Sequence, residues 1–86
     1  MSDEHPEVTV YSAVWCGFCK MAKAYLKSKQ VAFKEVDVEQ DPTAAMHIMQ
    51  KTGSAGVPVI QIGDEYILGF DRPRIDDSLR AHKLVS

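Results

Sequence analysis

Hydrophobic positions recur along this chain with two different periods, and the places where one period gives way to the other mark its elements. Val8-Thr9-Val10-Tyr11 is β-branched and aromatic and predicts a first strand, which points at a pair of cysteines. From Cys16 the apolar residues Phe18, Met21, Ala22, Tyr25 and Leu26 return at helical spacing, with Lys20, Lys23 and Lys27 on another side, so an amphipathic helix follows. Val31 through Val38 sets Phe33, Val36 and Val38 among alternating polar residues and predicts a second strand beside the first. Asp41-Pro42 supplies a cap and a first-turn proline for a second helix, whose stripe is Ala45, Ile48 and Met49 and whose stop is Gly53.

Val57-Pro58-Val59-Ile60-Gln61-Ile62 is a short apolar run, and Gly63-Asp64 is a two-residue turn into Tyr66-Ile67-Leu68, which together predict a β-hairpin. A last helix starts at Asp71 or Arg72, just before Pro73, carries Ile75 and Leu79 inward, and places Arg80 and Lys83 at its C-terminal end. The order β-α-β-α-β-β-α predicts an α/β domain: a four-stranded mixed sheet flanked by three helices, opening with a right-handed parallel crossover. Val59 and Ile60 are adjacent, point to opposite faces and are both apolar, which calls for helices on both faces of the sheet.

A chain of 86 residues, 45% of them hydrophobic, is the size of a single domain, here 1–86 with 1–7 as a flexible polar lead. Ten Lys plus Arg against twelve Asp plus Glu leave a formal charge of -2 and no basic stretch to attract phosphate backbones, so nucleic acid is not the expected partner. No apolar run approaches the roughly 20 residues of a membrane helix. The acidic start does not match a secretory leader, so the expected location is cytoplasmic.

The chain has two cysteines, Cys16 and Cys19, too few for a stapling framework, so the pair is read for reactivity or metal binding. After a strand and at the first turn of a helix, Cys16 meets unpaired backbone N–H groups and the positive end of the helix dipole, which favour a thiolate. Cys19, one turn on, is less exposed and suits the resolving role: Cys16 attacks a disulfide and Cys19 releases the mixed disulfide that results. Lys20 and Lys23 add positive charge nearby, and the commoner reading of such side chains is a solvated face.

With these elements in place, the stretch from Val8 to Leu84 resembles the glutaredoxin branch of the thioredoxin superfamily. Four features carry the resemblance: the strand leading into Trp15-Cys16-Gly17-Phe18-Cys19, the later Val57-Pro58 pair, the hairpin, and Gly69-Phe70-Asp71 before the last helix. It implies a thioredoxin-like fold and a dithiol thiol–disulfide oxidoreductase acting on protein disulfides or on mixed disulfides with a low-molecular-weight thiol. Electrons would come from glutathione, another small thiol or thioredoxin reductase. The family implies a monomer with no tightly bound cofactor.

The resemblance also implies roles for particular residues. The family proline matching Pro58 is cis, so Pro58 is predicted cis, whereas position alone makes it an edge or strand-start proline. The Val57 backbone would pair with the substrate peptide or the cysteine of glutathione, as an added strand does. Phe18 stands where many glutaredoxins carry tyrosine and reads either as a wall of the thiol-ligand groove or as a structural aromatic. Gly69 and Asp71 match the segment that holds the γ-glutamyl end of glutathione; unaided, they read as a turn glycine and a helix cap.

Three places in the chain, one of them a residue pair, depart from the glutathione-using pattern. Ala13 stands where those members commonly carry a basic residue. Trp15 is similar to thioredoxins and mycoredoxins, and Gly69-Phe70 to the redoxins that reduce ribonucleotide reductase. One alternative is a carrier that bridges a [2Fe-2S] cluster between two chains through Cys16 and glutathione, with which Gly17 is compatible. A zinc site is another, but it needs two further ligands, and His5, His47 and His82 are scattered singly. An adaptor without chemistry is the last, and the intact dithiol argues against it.

Overall fold

A computed structural model describes residues 7–54 and 56–82. Residues 1–6 of the expected lead, His5 among them, and Lys83 and Leu84 lie outside the described residues. The elements are β1 (Val8–Ser12), α1 (Gly17–Ser28), β2 (Lys34–Asp37), α2 (Pro42–Thr52), β3 (Val59–Ile62), β4 (Glu65–Leu68) and α3 (Arg72–Ala81). They form the predicted β-α-β-α-β-β-α order around one four-stranded sheet, ordered β2-β1-β3-β4. β2 lies parallel to β1, as expected, while β1 with β3 and β3 with β4 are antiparallel, so the sheet is mixed.

The period-two pattern sorts the strands' side chains between two faces. On one face Val8, Val10, Ile60, Ile62 and Ile67 meet Ala22 and Leu26 of α1 and Ile75 and Leu79 of α3, all buried. On the other, Tyr11 and Val59 meet Ile48 of α2, with Val36, Val38 and Tyr66 packed alongside. Val59 and Ile60 thus fall on opposite faces, and both are fully buried.

Two boundaries differ from the sequence reading, and the choice between two caps for α3 is resolved. β2 is shorter than Val31 to Val38 because Val31 belongs to the end of α1. Gln30 takes a left-handed conformation (φ 61), its N–H bonds to Lys27 O and the Val31 N–H to Leu26 O. That is a Schellman closure with Gln where glycine is usual, and Val31 is buried as its apolar contact. Cys16 is the N-cap of α1 and not part of it, and Asp71, not Arg72, caps α3.

The inward stripes are also narrower than predicted. Phe18 and Met21 on α1 and Met49 on α2 are exposed, leaving Cys19, Ala22 and Leu26 as the buried line of α1 and Ile48 alone on α2. The buried line is spaced at i, i+3 and i+7, the narrow seam that suffices to cover a sheet face.

Candidate active site

β1 ends at Ser12, and a short turn through Ala13, Val14 and Trp15 carries the chain into α1. The Cys16 N–H closes this turn on Ala13 O at 3.1 Å. Cys16 then takes an extended conformation (φ -89, ψ 110) that puts its side chain over the open end of the helix, where Sγ accepts the Cys19 N–H at 3.1 Å. A sulfur here does what a serine or aspartate oxygen does at other helix starts, satisfying a backbone donor with no partner inside the helix.

Both cysteines are free thiols and both are buried: Cys16 is 5% exposed and Cys19 0%. They pack with Ala13 and the half-buried Val57. Burial, joined by a hydrogen bond to Cys16, pushes the Cys19 thiol up to about 11, while a backbone hydrogen bond from Ala13 and the charge of Lys23 oppose the shift. Cys19 is therefore a protonated thiol at neutral pH, held beneath Cys16.

Val57–Pro58 is a cis peptide, as predicted, and Pro58 is buried immediately before β3, so the positional reading of a strand-start proline holds as well. The Gly69 N–H donates to Pro58 O at 2.8 Å, tying the end of the hairpin to the proline. Gly69 has φ +76, a conformation that side-chain-bearing residues rarely adopt, so its turn role is met too. Asp71 caps α3, its Oδ1 accepting the Arg74 N–H at 3.3 Å.

Phe70 is placed differently from its neighbours. Its ring lies edge-on to Tyr25, 5.8 Å between centroids, against the α1/α3 core and not in the cluster that holds the cysteines. Tyr25 in turn donates to Asp76 and lies under the Arg72 guanidinium, so Phe70 anchors the segment while Gly69 makes the link to Pro58.

Trp15 and Phe18 flank Cys16 on the surface, 67% and 62% exposed, and with Val14 and Met21 they make an apolar rim. This exposure does not fit the structural reading of Phe18. The Trp15 Nε1 donates to Glu39 Oε2 at 2.6 Å, and the Glu39 N–H is held by Asp37 Oδ1. Glu39 went unnoticed in the sequence, where nothing distinguishes it from any loop glutamate.

A polar group on the sheet side of α1 also escaped the sequence reading. Lys23 is half-buried and paired: its Nζ lies 2.6 Å from Glu35 Oε2, which also accepts from the buried Ser12 hydroxyl at 3.0 Å. The lysine, with Ser12 assisting, holds the Glu35 carboxyl below the usual carboxylate range. Among the described residues no three His, Cys, Asp or Glu side chains gather as a metal set. His47 pairs with the Tyr66 hydroxyl, and the His82 ring meets Ser78 O. No helix among the described residues is long and apolar enough to cross a membrane.

Comparison with known proteins bears on the family and the fold. The family model described as Glutaredoxin matches residues 8–67, more than half of the chain. A glutaredoxin-like 8.6 kDa protein in a rubredoxin operon of Clostridium pasteurianum is 38% identical over 69 residues, covering 80% of this chain and 92% of its own. A glutaredoxin of Pseudomonas aeruginosa is 36% identical over 66 residues, 77% of this chain and 79% of its own. Among solved structures, the glutaredoxin-like NrdH-redoxin of Escherichia coli, described as having a thioredoxin-like activity profile, superposes with a TM-score of 0.75 at 25% identity. It covers 83% of this chain and 92% of its own.

Proposed function

Since the chain belongs to the glutaredoxin family, whose members are thiol–disulfide oxidoreductase-like proteins, we propose that it is a dithiol enzyme in which Cys16 attacks and Cys19 resolves. The observation that carries this reading is the cap geometry: Cys16 Sγ, at the start of α1 between exposed Trp15 and Phe18, receives a backbone N–H, while Cys19 is fully buried one turn on. The Cys16 thiolate attacks one sulfur of a substrate disulfide; a Cys16–substrate bond forms, the substrate S–S bond breaks, and the departing thiolate takes up a proton. Cys19 then attacks Cys16, the intramolecular disulfide forms, and the second substrate thiol leaves. The substrate has gained two electrons and the enzyme has lost them.

Substrates in this reading are protein disulfides, with mixed disulfides of a low-molecular-weight thiol as the smaller class. The apolar rim of Val14, Trp15, Phe18 and Met21 suits a polypeptide, and Val57, packed against both cysteines, lies where an added strand would meet them. Ala13 brings no charge to hold a small thiol's carboxylate. The similarity to NrdH-redoxin points the same way. The reading has the protein at work as a monomer in the cytoplasm, with no tightly bound cofactor.

The test is NADPH consumption with a model disulfide, recycled either by thioredoxin reductase or by glutathione and glutathione reductase. Turnover with at least one system is expected, lost entirely in Cys16→Ser, and Cys19→Ser should accumulate mixed disulfides with protein substrates. Turnover only with thioredoxin reductase assigns protein disulfides as the clients. A Cys16→Ser protein that still turns over sinks the reading, as does a brown, dimeric, inactive preparation, which would reveal a cluster carrier.

A further inference from the structure

A fully buried thiol that must attack as a thiolate presents a problem that the two cysteines do not solve between them. Cys19 is buried and its partner Cys16 adds to the cost of ionising it. Resolution therefore depends on what else faces this sulfur. Cys16 faces it from the cap of α1 and Lys23 from one helical turn further along, while Ala13 after β1 and Val57 before β3 bring no ionisable side chain. β2 contributes Glu35, bonded to Lys23, and Asp37, paired in register with Ser12.

Lys23 stands four residues after Cys19, a spacing that sets side chains about 5–6 Å apart on one face of a helix. Glu35 Oε2 holds the Lys23 ammonium at 2.6 Å, and the same oxygen takes the Ser12 hydroxyl. Ser12 follows Val8 and Val10 on the core face of β1, yet it is a buried serine, 2% exposed, where the pattern calls for a third apolar residue. A buried hydroxyl at a core position is a cost to folding unless it is bonded, and its bond is to the carboxylate that fixes Lys23.

Resting on the dithiol reading above, we propose that Lys23 is a positioning residue for the resolving step, its ammonium fixed by Glu35 one helical turn along α1 from Cys19 so that the buried thiol can ionise and attack. The Cys19 proton is released to solvent, and an open depression of about 460 Å³ lined by Lys23, Lys27, Val31, Ala32, Phe33 and Glu35 brings solvent to the ion pair, though not to Cys19 itself. The Cys19 thiolate attacks Cys16 Sγ of the mixed disulfide; the Cys16–Cys19 bond forms, the bond to the substrate sulfur breaks, and the released thiolate takes a proton from water. Lys23 neither gives nor takes a proton. The shift caused by Cys19's burial is opposed by a backbone hydrogen bond from Ala13 and by the charge of Lys23.

The experiment uses the full chain and a chromogenic aryl disulfide, followed in stopped flow. One equivalent of aryl thiolate appears when Cys16 attacks and a second when Cys19 resolves, so the two steps are read separately in one trace. In Lys23→Met the second phase should slow about fivefold to tenfold at neutral pH and its pH midpoint should move up, while the first phase keeps its midpoint. Lys23→Arg, which keeps the charge, should restore the second phase. A thermal melt of each variant separates loss of fold from loss of charge, and Lys23→Gln provides a second neutral side chain. Second-phase profiles that superimpose in wild type, Lys23→Met and Lys23→Gln overturn this proposal alone, and so does an equal shift of both phases. Absence of the first phase in the wild type overturns the dithiol reading itself.

Discussion

The two faces of the sheet are built from the same kinds of residue but are not equal. The face covered by α1 and α3 buries ten hydrophobic side chains in one cluster, and the cysteines lie at the N-terminal end of the helix that covers it. The face covered by α2 buries three, with partly exposed Val36, Val38, Ala44 and Tyr66 around them, and leaves Met46 and Met49 in solvent. The difference teaches where stability and chemistry are invested. The dense face fixes α1 as a rigid mount for Cys16 and Cys19, whereas the thin face closes the other side of the sheet with one buried helix residue, Ile48.

Equal truncations on the two faces test this directly and should give the largest effects. Leu26→Ala, at the centre of the dense cluster, should cost about 3–5 kcal/mol, and Ile48→Ala about 2–3 kcal/mol, because a thin layer collapses more readily around the missing atoms. Chemical denaturation with the slope held common to both variants measures each. Equal losses would break the comparison.

A smaller effect belongs to the cap that starts α3. Asp71→Ala should lower stability by about 1 kcal/mol through the lost bond to the Arg74 N–H. Because α3 belongs to the dense face, reduced protection of the Ile75 and Leu79 amides should accompany that loss in hydrogen exchange, with the amides of α2 unchanged. A loss of protection shared by α2 would mean that the two faces open together.

The smallest effect sharpens the comparison at the edge of the dense face. Glu35 has its pKa lowered in the folded chain by Lys23, so its contribution to stability is complete above the ordinary carboxylate value of 4.5 and is lost as the pH falls through the lower folded value. With the Glu35 side chain 46% exposed, that contribution is below about 1 kcal/mol. Stability measured from pH 6 down to about pH 3 should fall more steeply in the wild type than in Glu35→Gln, in line with that carboxylate linkage. Parallel curves would show that the pair adds nothing to the fold.

The features legible in the sequence were those whose physics is local. Alternation marked the strands, Asp41 and Asp71 announced two helix starts, Gly63-Asp64 announced the hairpin, and the two-residue gap in Cys16-Gly17-Phe18-Cys19 announced the dithiol. Val31 was misplaced because an apolar residue after a helix serves equally well as the start of a strand or as the contact that closes the helix. Its role rested on the left-handed turn at Gln30, a residue type that gives no warning of that conformation. Phe18 and Met21 were assigned to the core stripe by spacing alone, and spacing does not say how far a helix projects past the sheet it covers.

By itself the sequence determined the element order, the caps at Asp41 and Asp71 and the pairing of two thiols one helical turn apart, since these follow from backbone geometry within a few residues. Tertiary structure decided that Cys19 is sealed while Trp15 and Phe18 stand exposed beside Cys16. It also decided that Trp15 meets Glu39 and that Lys23 and Ser12 meet at Glu35, partners 24, 12 and 23 residues apart. Such contacts arise only when strands and helices close on one another. The charge and burial around each sulfur are properties of that closure, which local preferences do not encode.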